Sequence, residues 1–334
     1  MALSGSGWKD KKVLVTGAGG FVGSHLVESL LRERAQVRGL VRYNSRNDAG
    51  FLAAAARENG GRLEIVAGDL NAEETIRKAV KGVEVVFHLA ALVGIPYSYL
   101  HPAEVVRTNV GGTLNVLLAA RDEGVGRVVH ASTSEVYGSA VSVPIAESHP
   151  LQPQSPYSAA KIGADAIALS FHHAYDLPVA VIRPFNVYGP RQSARAVIPT
   201  IIVQALTRDV VRIGATHPRR DLTFVEDTVR GFLAMGEAPE VAGQVVNVGS
   251  GFEISIGDLA KKIVERVGRP VRLEKDESRL RPSRSEVARL WAYNKKAKDL
   301  LGWSPQVSLD EGLDRTIAYI RDHLEDYDPD RYAV

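Results

Sequence analysis

A short β-branched run, Lys12-Val13-Leu14-Val15-Thr16, passes directly into Gly17-Ala18-Gly19-Gly20-Phe21-Val22-Gly23. An apolar helical spacing follows, Val22, Leu26, Leu30 and Leu31. A buried strand feeding a glycine turn and then a helix leaves few folds open. Gly17 permits the tight turn. Gly20 has no Cβ to block a pyrophosphate. Gly23 lets helix and strand pack closely. The unpaired N–H groups of the first turn, at Phe21 and Val22, add donors and a positive dipole end.

Further short apolar runs predict strands at Gln36 to Val41, Leu63 to Ala67, Val83 to His88, Arg127 to Ala131 and Val179 to Arg183. Helical segments separate them, the longest from Ser155 to Tyr175, and the first helix is read from Phe21 to Arg34. Ala53-Ala54-Ala55-Ala56 is short and flanked by charge, and suits a soluble helix. Strand–helix alternation predicts an α/β domain with a doubly wound parallel sheet over residues 1–190. After Pro190 the pattern breaks into short elements, then a strand at Val245 to Val248 and a helix at Ile256 to Val267. Glu274 to Glu286 reads as a charged loop, with helices at Asn294 to Leu301 and Leu309 to Leu324. Residues 191–325 are therefore expected to form a smaller α/β lobe of non-contiguous segments, some returning to the first domain. A polar tail is expected over 326–334.

The chain has 334 residues, with Lys+Arg 41 against Asp+Glu 39, so its formal net charge is +2. That balance gives no whole-surface reason to bind nucleic acid or an anionic membrane. With no cysteine, disulfides, thiol catalysis and Cys-based metal sites are excluded. No stretch reaches the ~18 apolar residues of a membrane span, Met1 to Lys12 has no signal-like run, and no metal-site pattern occurs. A cytoplasmic location is expected. His88 and His130 are read as packing residues.

The end of the second strand, Leu40-Val41-Arg42-Tyr43-Asn44-Ser45-Arg46, lacks the acid that usually holds the ribose hydroxyls of NAD. Arg42 and Arg46 suit a 2′-phosphate, with Asn44 and Ser45 as donors. NADP is therefore favoured and NAD is the alternative. Asp69 and Leu70 follow the third strand, where an acid commonly holds adenine. Leu89, Ala90 and Ala91 follow the fourth, where small residues line the ribose.

Tyr157 and Lys161 stand four residues apart, on one face of a helix. A nearby cation lowers a phenol's pKa, so Tyr157 is a candidate proton acceptor while hydride leaves the same carbon. Thr133 follows the fifth strand and can bond the reacting hydroxyl. Glu135 supplies more than an oxidation needs, and points to a second proton transfer, from carbon.

Thr-Gly-x-Gly-Gly-x-x-Gly, Ser-Thr-Ser-Glu-Val-Tyr-Gly, Ser-Pro-Tyr-Ser-Ala-Ala-Lys and Arg-Pro-Phe-Asn-Val-Tyr-Gly-Pro-Arg occur in order. From Lys12 to about Leu324 the chain resembles the NAD-dependent epimerase/dehydratase family, extended short-chain dehydrogenase/reductases with a Rossmann-type domain. Ser-Thr-Ser-Glu before Ser-Pro-Tyr resembles GDP-mannose 4,6-dehydratases. Arg42 to Asp48 and Arg191 to Pro199 resemble N-acetylglucosamine-nucleotide 4,6-dehydratases of legionaminic-acid-type pathways. The resemblance adds Asn109 to the cofactor set. It implies a nucleotide-diphosphate sugar held by Asn186, Arg191, Val197, Arg220 and Arg281. It also implies a homodimer through Ala103 to Glu123 and Ser155 to Tyr175. Glucose-nucleotide dehydratases carry Asp at the position of Ser134, as acid for the departing hydroxyl; here Ser134 or Glu135 itself has that task.

The expected chemistry is oxidation at C4, proton removal from C5 by Glu135, loss of water and hydride return to C6. Three alternatives stay open: C4 epimerisation, decarboxylation of a nucleotide uronic acid, and a non-catalytic NADP-binding module. Decarboxylases also carry Thr-Ser-Glu, but surround their Tyr differently from Ser155-Pro156-Tyr157-Ser158.

Overall fold

In the computed structural model, residues 7–46, 48–58 and 61–327 are described. Met1–Ser6, Asn47 and most of the expected tail, 328–334, lie outside them.

Six strands alternate with helices in the first half: β1 (Lys12–Thr16), β2 (Gln36–Arg42), β3 (Leu63–Gly68), β4 (Val85–His88), β5 (Arg127–Ala131) and β6 (Val179–Pro184). The intervening helices are α1 (Phe21–Arg32), α2 (Leu52–Glu58), α3 (Glu73–Val80), α4 (Ile95–Leu100), α5 (Pro102–Val106), α6 (Gly112–Asp122) and α7 (Pro156–Tyr175). A π-helical turn, Arg107–Gly111, joins α5 to α6. In the second half come β7 (Val187–Tyr188), α8 (Val197–Thr207), β8 (Val210–Ile213), β9 (Arg219–Asp221), β10 (Thr223–Phe224), α9 (Val225–Glu237) and β11 (Val245–Val248). The chain continues through β12 (Glu253–Ser255), α10 (Ile256–Val267), β13 (Arg272–Lys275), β14 (Arg289–Leu290), α11 (Lys295–Leu301) and α12 (Leu309–Asp322).

The large sheet has seven strands in the order β11-β6-β5-β4-β1-β2-β3, all pairs parallel. Side-chain alternation builds two cores. Val13, Val15, Phe87 and Ile182 face one cluster, which runs on into α8, α10 and α12. Leu14, Val86, Val128 and Val181 face the other, under α3, α6 and α7. One core thus spans the sheet and the second-half helices. The strand order reverses between β1 and β4, and this switch point opens the crevice at the carboxyl edge where ligands of such sheets bind.

Val245–Val248 is a segment of the second half that lies in the large sheet, paired with β6 at its edge. Several expectations change. The first helix ends at Arg32, because Arg34 takes a left-handed φ of 65°. The charged stretch from Glu274 begins inside β13, which pairs with β8. Two long helices, α8 and α9, stand where only short elements were read. Among the described residues no helix is long and apolar enough to cross a membrane.

Candidate active site

The glycine turn needs its glycines. Gly17 has φ 70°, and a Cβ at Gly23 would lie 2.2 Å from the Gly17 carbonyl oxygen. Gly20 is the N-cap of α1 and no side chain caps it. The first-turn N–H groups at Phe21 and Val22 are therefore left without a side-chain cap. Gly19 was not singled out in the sequence, yet its Cβ would meet the Ala49 carbonyl oxygen at 2.6 Å. We predict that Gly23→Ala loses about 1–3 kcal/mol of stability, read by chemical denaturation, because backbone rather than a flexible side chain must move.

Arg42, Ser45 and Arg46 are exposed at the end of β2. Asn44 is engaged within the loop: its Oδ1 accepts from the Asp48 and Arg46 N–H groups at 2.9 and 3.2 Å, and its Nδ2 donates to the Asp48 carbonyl at 2.8 Å. It shapes the loop that presents the arginines. Asp69 accepts from the Asn71 N–H at 2.8 Å, and Leu70 is buried against Gly112. Leu89 and Ala90 each donate an N–H to Thr16 Oγ1 at 3.1 Å, and Ala91 continues that shelf. Asn109 is 1% exposed. Its Oδ1 accepts from Leu92 N at 2.8 Å and its Nδ2 donates to Leu92 O at 3.0 Å, so the amide fastens the shelf.

The catalytic candidates converge. Ser155 and Ser158 form a reciprocal capping box with Pro156 in the first turn, and this sets where α7 begins. Tyr157 lies in that first turn, with Lys161 one turn later. Thr133 caps the 3₁₀ turn Ser134–Tyr137, accepting from Glu135 N at 3.2 Å, and its hydroxyl bonds the Tyr157 phenol. Ser134 and Glu135 are both buried, and the Glu135 carboxylate acts electrostatically on both Tyr157 and Arg220.

The Tyr157 phenol is not lowered as its spacing from Lys161 predicts. Burial pushes it up, Glu135 and Asp165 add to this, and only the Thr133 hydrogen bond opposes them. The reason is geometric: the Lys161 ammonium donates to the Ala131 carbonyl at 2.7 Å. Burial brings Lys161 down to about 8, against the Asp165 carboxylate. Asp165 accepts from Ser132 Oγ at 2.7 Å and from Arg183 at 3.0 Å, which ties the strand end before Thr133 to α7.

On the opposite wall, Arg220 is 7% exposed and pairs with Glu286 at 3.1 Å, while Arg281 lies 3.9 Å from the same carboxylate oxygen. Asn186 has a buried Oδ1 without a partner. Val197 begins α8, 36% exposed. Arg191 is held elsewhere: its guanidinium pairs with Glu28 at 2.7 Å, donates to Ser24 Oγ at 3.2 Å and lies over the Phe51 ring. It braces the cofactor loop against α1 and does not join Arg220 and Arg281. No group of three or more metal-ligating side chains occurs among the described residues.

The profile of the family described as GDP-mannose 4,6-dehydratase matches residues 14–316. The chain belongs to that family. Relatives of this GDP-mannose 4,6-dehydratase family member carry more than one activity in their names. A UDP-glucose 4-epimerase of Mycolicibacterium smegmatis is 37% identical, over 93% of this chain and 98% of its own. A dTDP-glucose 4,6-dehydratase of an Actinoplanes species is 34% identical, over 93% of this chain and 98% of its own. The crystal structure of DesIV, a dTDP-glucose 4,6-dehydratase of Streptomyces venezuelae with NAD and TYD bound, superposes with a TM-score of 0.86. It is 32% identical and covers 95% of this chain and 99% of its own.

Two polar residues of this family member escaped the sequence reading. Glu286 joins the two arginines, and nothing in local spacing marks it among its charged neighbours. Asp165 continues the face of Tyr157 and Lys161 by one more turn, a signal that was legible in the helical period.

Proposed function

We propose that the chain is a nucleotide-sugar 4,6-dehydratase, with an N-acetylglucosamine nucleotide or a close analogue as substrate. The reading rests on one observation: a buried carboxylate, Glu135, beside a Tyr/Thr/Lys oxidation centre. The cradle fits a dinucleotide, since side chains at Gly17 and Gly23 would strike backbone and no side chain caps α1. Gly17, Gly20, Phe21, Val22 and Gly23 would hold the pyrophosphate. Arg42 and Arg46 would meet a 2′-phosphate, which favours NADP; NAD is the alternative that the DesIV structure illustrates. A bound nicotinamide supplies hydride acceptance from C4 and its return at C6.

The remaining chemistry belongs to the chain. Tyr157 takes the C4 hydroxyl proton while Thr133 orients that hydroxyl. Lys161 holds positive charge beneath the strand end. The C4 ketone acidifies the C5 hydrogen, and Glu135 removes it. The C6 hydroxyl then leaves as water, protonated by Glu135 or through Ser134, and as hydride returns to C6 a solvent-derived proton is delivered to C5 while Tyr157 releases the proton it took. Arg220 and Arg281 take the diphosphate, since guanidinium forks match phosphate oxygens, and Asn186 adds its amide. The net change is loss of water, giving a 4-keto-6-deoxy sugar with the cofactor regenerated.

The name of the M. smegmatis relative favours a second reading, C4 epimerisation, which uses Tyr157 but has no task for Glu135. Incubation with UDP-, GDP- and dTDP-sugars, hexuronic acids among them, followed by mass spectrometry, separates these readings. A dehydratase product is lighter by one water. An epimerase product keeps its mass, and a uronate decarboxylase product loses carbon dioxide.

A further inference from the structure

His88 lies at the end of β4, 2% exposed, inside a chain of side-chain hydrogen bonds beneath the glycine turn. Its Nδ1 lies 2.8 Å from Thr16 Oγ1 and its Nε2 lies 3.0 Å from Thr113 Oγ1. The direction of every bond follows from one end. Thr113 has a single hydroxyl proton, and it goes to the Asn109 carbonyl at 2.6 Å, which can only accept. Thr113 Oγ1 must therefore accept from His88 Nε2–H. A neutral imidazole then presents Nδ1 as acceptor, so Thr16 donates to it. This leaves the Thr16 oxygen lone pairs for the Leu89 and Ala90 N–H groups, both at 3.1 Å.

We infer that His88, as the neutral Nε2–H tautomer, is a positioning residue that locks the glycine turn, the 89–92 shelf and the π-helical turn into one rigid platform for the dinucleotide. Three segments far apart in sequence are joined through this imidazole. Thr16 is the last residue before Gly17. Leu89 and Ala90 are the shelf. Asn109 grips Leu92 from the other side and closes the circuit through Thr113. The π-helical turn presents the Asn109 carbonyl to Thr113 while the Asn109 side chain grips Leu92. Burial, with His130 and Lys161 nearby, holds the imidazole well below its usual pKa, in keeping with the neutral form. A cationic ring would need Thr16 Oγ1 to accept three N–H groups.

The inference rests on the dinucleotide-binding part of the proposed function, and its test separates the two. Asn at position 88 places Oδ1 where Nδ1 stood and can still accept from Thr16. Phe fills the space of the ring but accepts nothing. If positioning through hydrogen bonds is the role, His88→Phe raises the dissociation constants of NADP+ and NAD+ by about tenfold, the worth of one buried hydrogen bond. His88→Asn then stays within about threefold of the parent. A residue that merely packs gives the reverse order, Phe mild and Asn severe, and that result overturns the inference. Nitrogen-15 shifts of His88, assigned by its loss in the Asn variant, read the tautomer whatever the ligand does. A protonated Nδ1 also overturns it. Failure of the parent chain to bind either dinucleotide instead strikes the functional reading.

Discussion

Glu135→Gln is expected to stop the enzyme half-way. The amide keeps size and hydrogen-bonding capacity but cannot take a proton from C5. Turnover should fall on the order of 10²–10⁴-fold, the usual reach of a positioned general base. C4 oxidation does not use this carboxylate, so stopped-flow mixing with sugar nucleotide should show reduced-nicotinamide absorbance rising and persisting. The carboxylate also faces Arg220 and Tyr157. Its removal takes away a charge that pushes the phenol upward, so the first step should not slow. An unchanged overall rate in the variant would assign Glu135 a structural role.

The second large effect is expected at Tyr157. Burial, with help from Glu135 and Asp165, keeps this phenol protonated well above its ordinary range, and the Thr133 hydrogen bond is the one influence in the other direction. The phenol must therefore give up its own proton to solvent before it can take the one from C4, and binding of the cofactor and substrate has to drive that release. Tyr157→Phe removes the acceptor and should lower turnover by about 10²–10⁴-fold. In contrast to the Glu135 variant, no reduced nicotinamide should accumulate, because the block precedes hydride transfer. The two variants thus divide the sequence of events. One accumulates the oxidised sugar, the other never forms it. Thermal unfolding of both should stay near the parent, since neither change adds volume.

The large sheet was legible because its strands are short apolar runs punctuated by glycine and charge, and the period-2 alternation sends Leu14 and Val13 to opposite cores. The motif order located Thr133, Glu135, Tyr157 and Lys161, and the fold gathers all four at one carboxyl edge. What escaped had physical reasons. In α8, Ile201, Ile202 and Val203 are β-branched and favour strands locally, but burial on most sides overrides that preference. In α9, Gly231 and Gly236 interrupt an otherwise readable spacing of Val225, Val229 and Phe232, and each glycine stands where a Cβ would press on Val248 or on Trp8 and Phe87. The resemblance put Arg191 among the residues that hold the nucleotide sugar. Its left-handed φ of 70° is part of a backbone path that sends the guanidinium to Glu28 on α1. Charge type is visible in a sequence; which wall the side chain reaches depends on the backbone around it.

Asp165, Arg183 and Tyr137 form a buried polar chain behind the reacting residues, with Arg183 Nη1 2.9 Å from the Tyr137 hydroxyl and that hydroxyl 2.6 Å from Asn247 Oδ1. Every link is a charge-assisted or buried hydrogen bond, so the chain fixes the β5 end that carries Ser132 and Thr133. A site built this way holds its geometry before substrate arrives, as differential stabilisation of a transition state requires.

Hydrogen-isotope tracing on the product gives the most direct test. A nucleotide hexose deuterated at C4 is converted in ordinary water, and its unlabelled counterpart in heavy water. Elimination driven by the carboxylate at 135 predicts the label at C6 in the first product and one solvent deuterium at C5 in the second. Deuterium still at C4, with C5 untouched by solvent, would contradict it.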